Sequence, residues 1–151
     1  MNTPTIPINT APVPRWLGIA GLIPFAALAA AVWLWPAHAA RAHAALLGYG
    51  AVILSFVGAI HWGLGMATAA DRSGPYLWSV VPSLLGWAAL LLGAGWGYPV
   101  LLLGLWAHYA QDRRWRGLAT LAPWYLPLRT QLTLVASACL LLGWGAVAMN
   151  G

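Results

Sequence analysis

Four long stretches of this chain carry no formal charge: Trp16 to Ala40, Ala42 to Ala70, Ser73 to Gln111 and Thr130 to Gly151. Each is long enough to cross a bilayer, which takes about 20 predominantly apolar residues. The charged side chains are seven arginines and two aspartates, 6% of the residues. A soluble domain carries about 25%, so this chain cannot clothe a water-facing surface. It is read as all-α, a polytopic membrane helix bundle with a single transmembrane domain over 15–151.

The basic balance, +5 with histidine neutral, would suggest nucleic acid in a soluble protein. Here the arginines are few and sit between apolar runs, so they read as topology signals and contacts to lipid headgroups. Nucleic-acid binding, which needs a continuous basic face, is not expected. The single Cys139 rules out an intramolecular disulfide and a thiol-rich metal site. Residues 1–14 contain Pro4, Pro7, Pro12 and Pro14 and no charged side chain. They read as a disordered tail, not a secretory signal.

Five spans are expected, over about 16–35, 44–69, 76–92, 98–111 and 128–149. Pro24 lies inside the first and predicts a kink. The charge-free run Ser73 to Gln111 has 39 residues. As one helix it would reach about 58 Å, nearly twice the hydrocarbon core. Gly93, Gly95, Gly97 and Pro99 supply a breaker cluster where it divides. Trp124 and Tyr125, between Pro123 and Pro127, read as interfacial anchors in a loop or as a shallow re-entrant segment. With five crossings, Arg15, Arg72, Arg113, Arg114, Arg116 and Arg129 share one side against Arg41 on the other. That excess predicts a cytoplasmic N-terminus and an external C-terminus.

The stretches LGIAGLIPFAALA (17–29), YGAVILSFVGAIHWGLGMA (49–67), WSVVPSLLGW (78–87), Asp112-Arg113-Arg114 and PWYLPLRTQLT (123–133) carry a resemblance. The chain resembles the bacterial domain of unknown function 3429 family, whose domain also occurs in a mitochondrial inner-membrane protein. The SF-x-G-x-x-HWG and PWY-x-x-LR-x-x-LT segments are its specific parts. The resemblance implies an integral membrane protein with this layout and implies no activity.

His61 is the side chain that most invites a function. It lies within the second span, and an ionisable group at such depth faces the bundle interior or a wet cavity. Gly58 and Gly65 flank it at i−3 and i+4, and Ser55, Ala59 and Gly63 add a stripe of small residues for close helix approach. Ser55, Gly58, His61, Trp62 and Gly65 thus form a candidate intramembrane site. Three readings of His61 stand: a neutral ring locking a helix crossing, a proton-handling or ligand-binding group, and a metal or haem ligand.

His108 and Asp112, at i,i+4, share a face near the cytoplasmic end of span four. Arg129 opens span five at the same level, so His108, Asp112, Arg113, Arg129 and Tyr125 are expected to form an ionic cluster at the cytoplasmic rim. Helix rise puts His61 about 12 Å from its cytoplasmic end and His108 about 5 Å from the same side. That mismatch argues against a haem held between them. His38 and His43 flank Arg41 in an expected outer loop, without a carboxylate or thiol, and do not suggest a metal site.

No metal and no cofactor is expected. A nucleophile with its base, or a carboxylate pair, is absent from the pattern, so the chain is not read as an enzyme. Most of the eleven tryptophans fall near span ends, as an interfacial belt does; Trp62, Trp87, Trp106 and Trp144 lie deeper and are expected to pack the bundle. The function expected is a non-catalytic binding or scaffold protein of the bacterial cytoplasmic (inner) membrane. Its expected partners are the lipid bilayer and either another inner-membrane protein or further copies of the chain. The alternative is a small carrier or proton-linked permease using His61 in an intramembrane polar pocket.

Overall fold

The computed structural model describes residues 12–67, 73–115 and 121–150. The chain runs as α1 (Pro12–Ala20), α2 (Ile23–Leu34), a 3-10 turn at Pro36–His38, α3 (Ala39–Ala67), α4 (Ser73–Trp115) and α5 (Tyr125–Asn150). Among the described residues there is no strand.

Four stretches are long and apolar enough to cross a membrane: Pro12–Leu34, Pro36–Ala67, Ser73–Trp115 and Tyr125–Met149. The third holds the breaker cluster. Gly93 leaves helical geometry at φ 66° and ψ −166°, a region open essentially to glycine alone. Beyond it the chain folds back. The Trp78 indole reaches His108 at 3.2 Å, and a methyl added to Gly97 would stand 2.5 Å from the Ala89 carbonyl oxygen. In a straight helix residues 78 and 108 would lie about 45 Å apart. Residues 73–92 and 94–115 are therefore two arms of a helical hairpin.

The first span also bends, between Ala20 and Ile23, with Pro24 in the opening turn of α2. A proline disfavours helical geometry in the residue before it and removes a donor to the preceding turn. The kink expected at Pro24 thus falls just before it. Of the expected tail, residues 1–11 lie outside the described residues, while residues 12–14 already belong to α1. Span five starts earlier than expected, at Tyr125, because Pro127 falls in the first turn, where the missing donor is tolerated. The pair His38 and His43 is not in a loop: His38 closes the 3-10 turn and His43 is in α3. The His43 Nδ1 lies 2.8 Å from the Tyr98 hydroxyl, a polar link across the apolar core.

That core is Phe25, Leu46, Leu54, Leu101, Leu105 and Leu140, all nearly inaccessible. Large apolar side chains also cover the outside. Trp62, Trp87, Trp106 and Trp144, expected to pack inside, are 48%, 62%, 43% and 40% exposed. The expectation failed because small residues fill the helix contacts. Gly58 meets Pro82, Gly86 meets the Ala51 backbone and Gly104 meets Leu54, so the bulky groups on the same helices turn to lipid.

Candidate functional site, a buried histidine and carboxylate cluster

The hairpin, the C-terminal third of α3 and the first turns of α5 bring their polar residues to one end of the bundle. Asp112 is the centre. Its Oδ2 accepts a hydrogen bond from Arg129 Nε at 2.9 Å and another from the Tyr125 hydroxyl at 3.2 Å. Its Oδ1 faces two imidazoles, His61 Nε2 at 3.5 Å and His108 Nε2 at 3.7 Å. Those two separations exceed hydrogen-bond length. His61 and His108 are 0% exposed, Asp112 2% and Arg129 5%.

The two imidazole rings meet edge to face at 4.6 Å between centroids, and Trp115 packs on His61 in the same manner at 4.8 Å. Trp78 donates its indole N–H to His108 Nδ1. An indole nitrogen only donates. The His108 Nδ1 therefore presents its lone pair, and in the neutral ring the proton sits on Nε2, toward Asp112. On His61 neither ring nitrogen has a hydrogen-bond partner among the described residues.

His61, His108 and Asp112 offer ligand atoms within 4.8 Å of one another, the spacing of a metal site. Their chemistry does not fit one. A ligating histidine turns a lone pair to the metal and donates its other N–H to a carbonyl or carboxylate. His108 is wired in reverse, its second nitrogen meeting a donor, and the one carboxylate is already engaged by a guanidinium. What remains is His61 and one carboxylate oxygen, short of the three or four ligands a zinc-like ion takes. Nor is there a slot for a porphyrin between rings in direct contact.

The structure joins two residue groups that the sequence kept apart. His61 was expected beside span-two neighbours and His108 with Asp112 at the rim. The depth mismatch between the histidines is not there, because α4 stays helical to Trp115, four residues past the end expected at Gln111. Both rings then lie at one level. The ionic cluster is buried instead of rim-exposed, and Arg113, expected in it, is exposed. Among the span-two candidates, Gly58 and Gly65 make the close approaches foreseen, to Ser79 with Pro82 and to the Tyr76 ring. Ser55 bonds the Ala51 carbonyl of its own helix. Trp62 lies outside against Tyr76, ring centroids 5.2 Å apart. Trp78 and Trp115 escaped the sequence reading, since their positions near span ends matched an interfacial belt.

The chain matches, over residues 10–145, the family described as protein of unknown function DUF3429. It is 33% identical over 137 residues to Transmembrane protein 69 of Xenopus tropicalis, an alignment covering 85% of this chain and 53% of that protein. The chain thus spans about half the length of the curated relative it matches. No solved structure matches it.

Proposed function

For a chain that belongs to the DUF3429 family of membrane proteins of unknown function, we propose a non-catalytic binding or scaffold role in the bacterial inner membrane, exercised by a bundle of five crossings. The observation that carries the reading is the closure of the polar cluster. His61, His108, Asp112 and Arg129 are sealed from solvent, and they knit α3, both arms of α4 and α5 into one block. Toward the Tyr98 end the interior is filled by Leu54, Leu101, Leu105 and Leu140. A carrier needs a polar route that opens to each side in turn, and these side chains occupy the place of one. Asp112 is spent on Arg129 and Tyr125, which leaves no carboxylate there for acid–base chemistry.

Five crossings are supported by the hairpin at Gly93, each arm of which is near the length of a span. The arginine distribution supports a cytoplasmic N-terminus and an external C-terminus. Truncation fusions test this: a reporter after Trp115 is expected to read cytoplasmic and one after Met149 external.

One feature favours the carrier alternative, namely the partnerless nitrogens of His61. The deciding experiment pairs cross-linked purification from native membranes with proton flux in proteoliposomes. A stoichiometric co-purifying membrane protein, with no flux above empty vesicles, is the expected result. Flux abolished by His61→Gln, with no partner captured, would replace the binding reading with the carrier one.

A further inference from the structure

A cavity of about 440 Å³ lies beside the polar cluster, between α1, α2, α3 and α5. Its lining is almost wholly apolar, with Leu17, Phe25, Phe56, Ile60 and Leu132 among the walls. Arg129 and Thr133 border it but are 5% and 2% exposed. They present no polar surface to an occupant, so whatever fills the cavity is hydrocarbon.

The shape follows the helix axes. The lining runs from Val13 to Gly21 on the first span and from Leu128 to Ala136 on α5, about 12 Å of helix rise on each. That is most of one leaflet, half of a hydrocarbon core about 30 Å thick. Val13 lies in the first turn of α1, and Trp124 and Tyr125 at the start of α5 line the same end. The cavity therefore begins at a membrane face and runs inward. On the α5 side it is closed, since a methyl added to Gly18 would stand 3.1 Å from Leu132 Cδ1. Toward α3, Leu17 and Phe56 line it while 68% and 67% exposed, so it reaches the lipid between them. A narrow apolar slot of this length, open sideways, fits one acyl chain.

The chain alone cannot make such a site selective, because lipid tails are as apolar as the leucines around them. The head group decides which lipid stays, and it must lie outside the cavity. Arg15 is exposed and follows Pro14, which lines the cavity, as does Gly18 three residues on. Its backbone thus stands within about one turn, 5.4 Å, of the wall. Arg113 and Arg114 are exposed at the same end, next to Asp112, which bonds Tyr125. Asp112 is the sole aspartate among the described residues, and it is buried and paired with Arg129. Among the described residues the exposed formal charge of this rim is therefore wholly positive, the complement of a phosphate. We infer that the cavity holds one acyl chain of an anionic phospholipid whose phosphate lies at the rim beside Arg15. The inference needs no protein partner, so its failure and that of the scaffold reading are distinguishable.

The test uses the full-length protein in phosphatidylcholine nanodiscs with a small fraction of phosphatidylglycerol that carries a diazirine in one acyl chain. Photolabelled peptides are mapped by mass spectrometry. Labelling is expected to concentrate on Leu17, Phe56 and Ile60, and to be displaced by unlabelled phosphatidylglycerol well before phosphatidylcholine. Arg15→Gln removes a charge from an exposed position. It is expected to reduce that preference about 5-fold, the effect of one arginine at a membrane surface, and Arg15→Lys is expected to retain it. Ile60→Trp fills the cavity from a half-buried position and is expected to abolish labelling there. Labels spread evenly over lipid-facing residues such as Leu91 and Leu141, equal displacement by both lipids, or an unchanged preference in Arg15→Gln would overturn the assignment. So would a dimeric particle with unlabelled cavity peptides, which would give the cavity to a second copy. The wild-type map and Arg15→Gln decide the matter even where Ile60→Trp fails to accumulate as a monodisperse protein.

Discussion

Arg129 and Asp112, seventeen residues apart on different helices, form a buried ion pair with 2.9 Å between Nε and Oδ2. Neither has another formal charge within ion-pair distance among the described residues, apart from the two imidazoles facing Asp112. Among the described residues each is therefore the other's only fixed counter-charge.

Removing one member strands the other. Arg129→Met and Asp112→Asn are each expected to cost about 3–5 kcal/mol, the range for breaking a buried pair. The double variant is expected to cost clearly less than the sum of the two. Unfolding in a detergent series, read by far-ultraviolet circular dichroism, measures the cycle. Strict additivity would show that the two charges do not support one another.

Trp78 fixes the proton on His108. Nitrogen NMR of the histidine-labelled protein is expected to show His108 as the Nε2–H form in neutral solution. Trp78→Phe, which keeps most of the packing and deletes the donor, is expected to mix the two tautomers and to cost about 0.5–1.5 kcal/mol. A His108 protonated on Nδ1 in the wild type would contradict the wiring described above.

His61 separates packing from chemistry. Gln retains a donor and an acceptor, so His61→Gln is expected to preserve stability and in-cell function. His61→Ala opens a void beside Trp115 and His108, and is expected to lose about 2–5 kcal/mol, the range for truncating a large buried side chain. The check is thermal stability in detergent beside complementation of a deletion strain. Two stable but inactive variants would instead assign His61 a role in proton transfer.

The glycines divide by what surrounds them. A methyl on Gly58 would stand 2.9 Å from the Ser79 carbonyl oxygen, which is backbone and cannot swing aside, whereas Gly63 has open space. Gly58→Ala is expected to cost about 1–3 kcal/mol; Gly63→Ala is expected to be neutral or to gain up to about 1 kcal/mol of helix propensity. Gly93→Ala meets no neighbour yet is expected to cost about 1–3 kcal/mol from its φ of 66° alone. A thermal melt of each variant ranks them, and equal values for Gly58→Ala and Gly63→Ala would contradict the tight α3–α4 crossing.

That the chain is all-helical, with four stretches long and apolar enough to cross a membrane, was legible because charge and length leave few other places for them. Gly93 was legible as a division, since 39 uncharged residues exceed one crossing. That His61, Asp112 and Arg129 would seek polar company was also visible, each being costly within or beside lipid. Their convergence was not. Whether two histidines share a level depends on where helices end, and a boundary moved by four residues shifts a side chain by about 6 Å. The tryptophans misled for a similar reason. Apolar size predicts burial in water, whereas in lipid small residues such as Gly58, Gly86 and Gly104 take the tight helix contacts and large side chains can face outward.

The order of the helices along the chain has a consequence for biogenesis. Domains fold from the N-terminus as synthesis proceeds, so the hairpin turned at Gly93 delivers Asp112 before α5 has been made. Until then, among the described residues, the carboxylate has the two imidazoles beside it. The arrival of Arg129 is the step that neutralises it, so a nascent chain stopped before α5 lacks the guanidinium that pairs with Asp112.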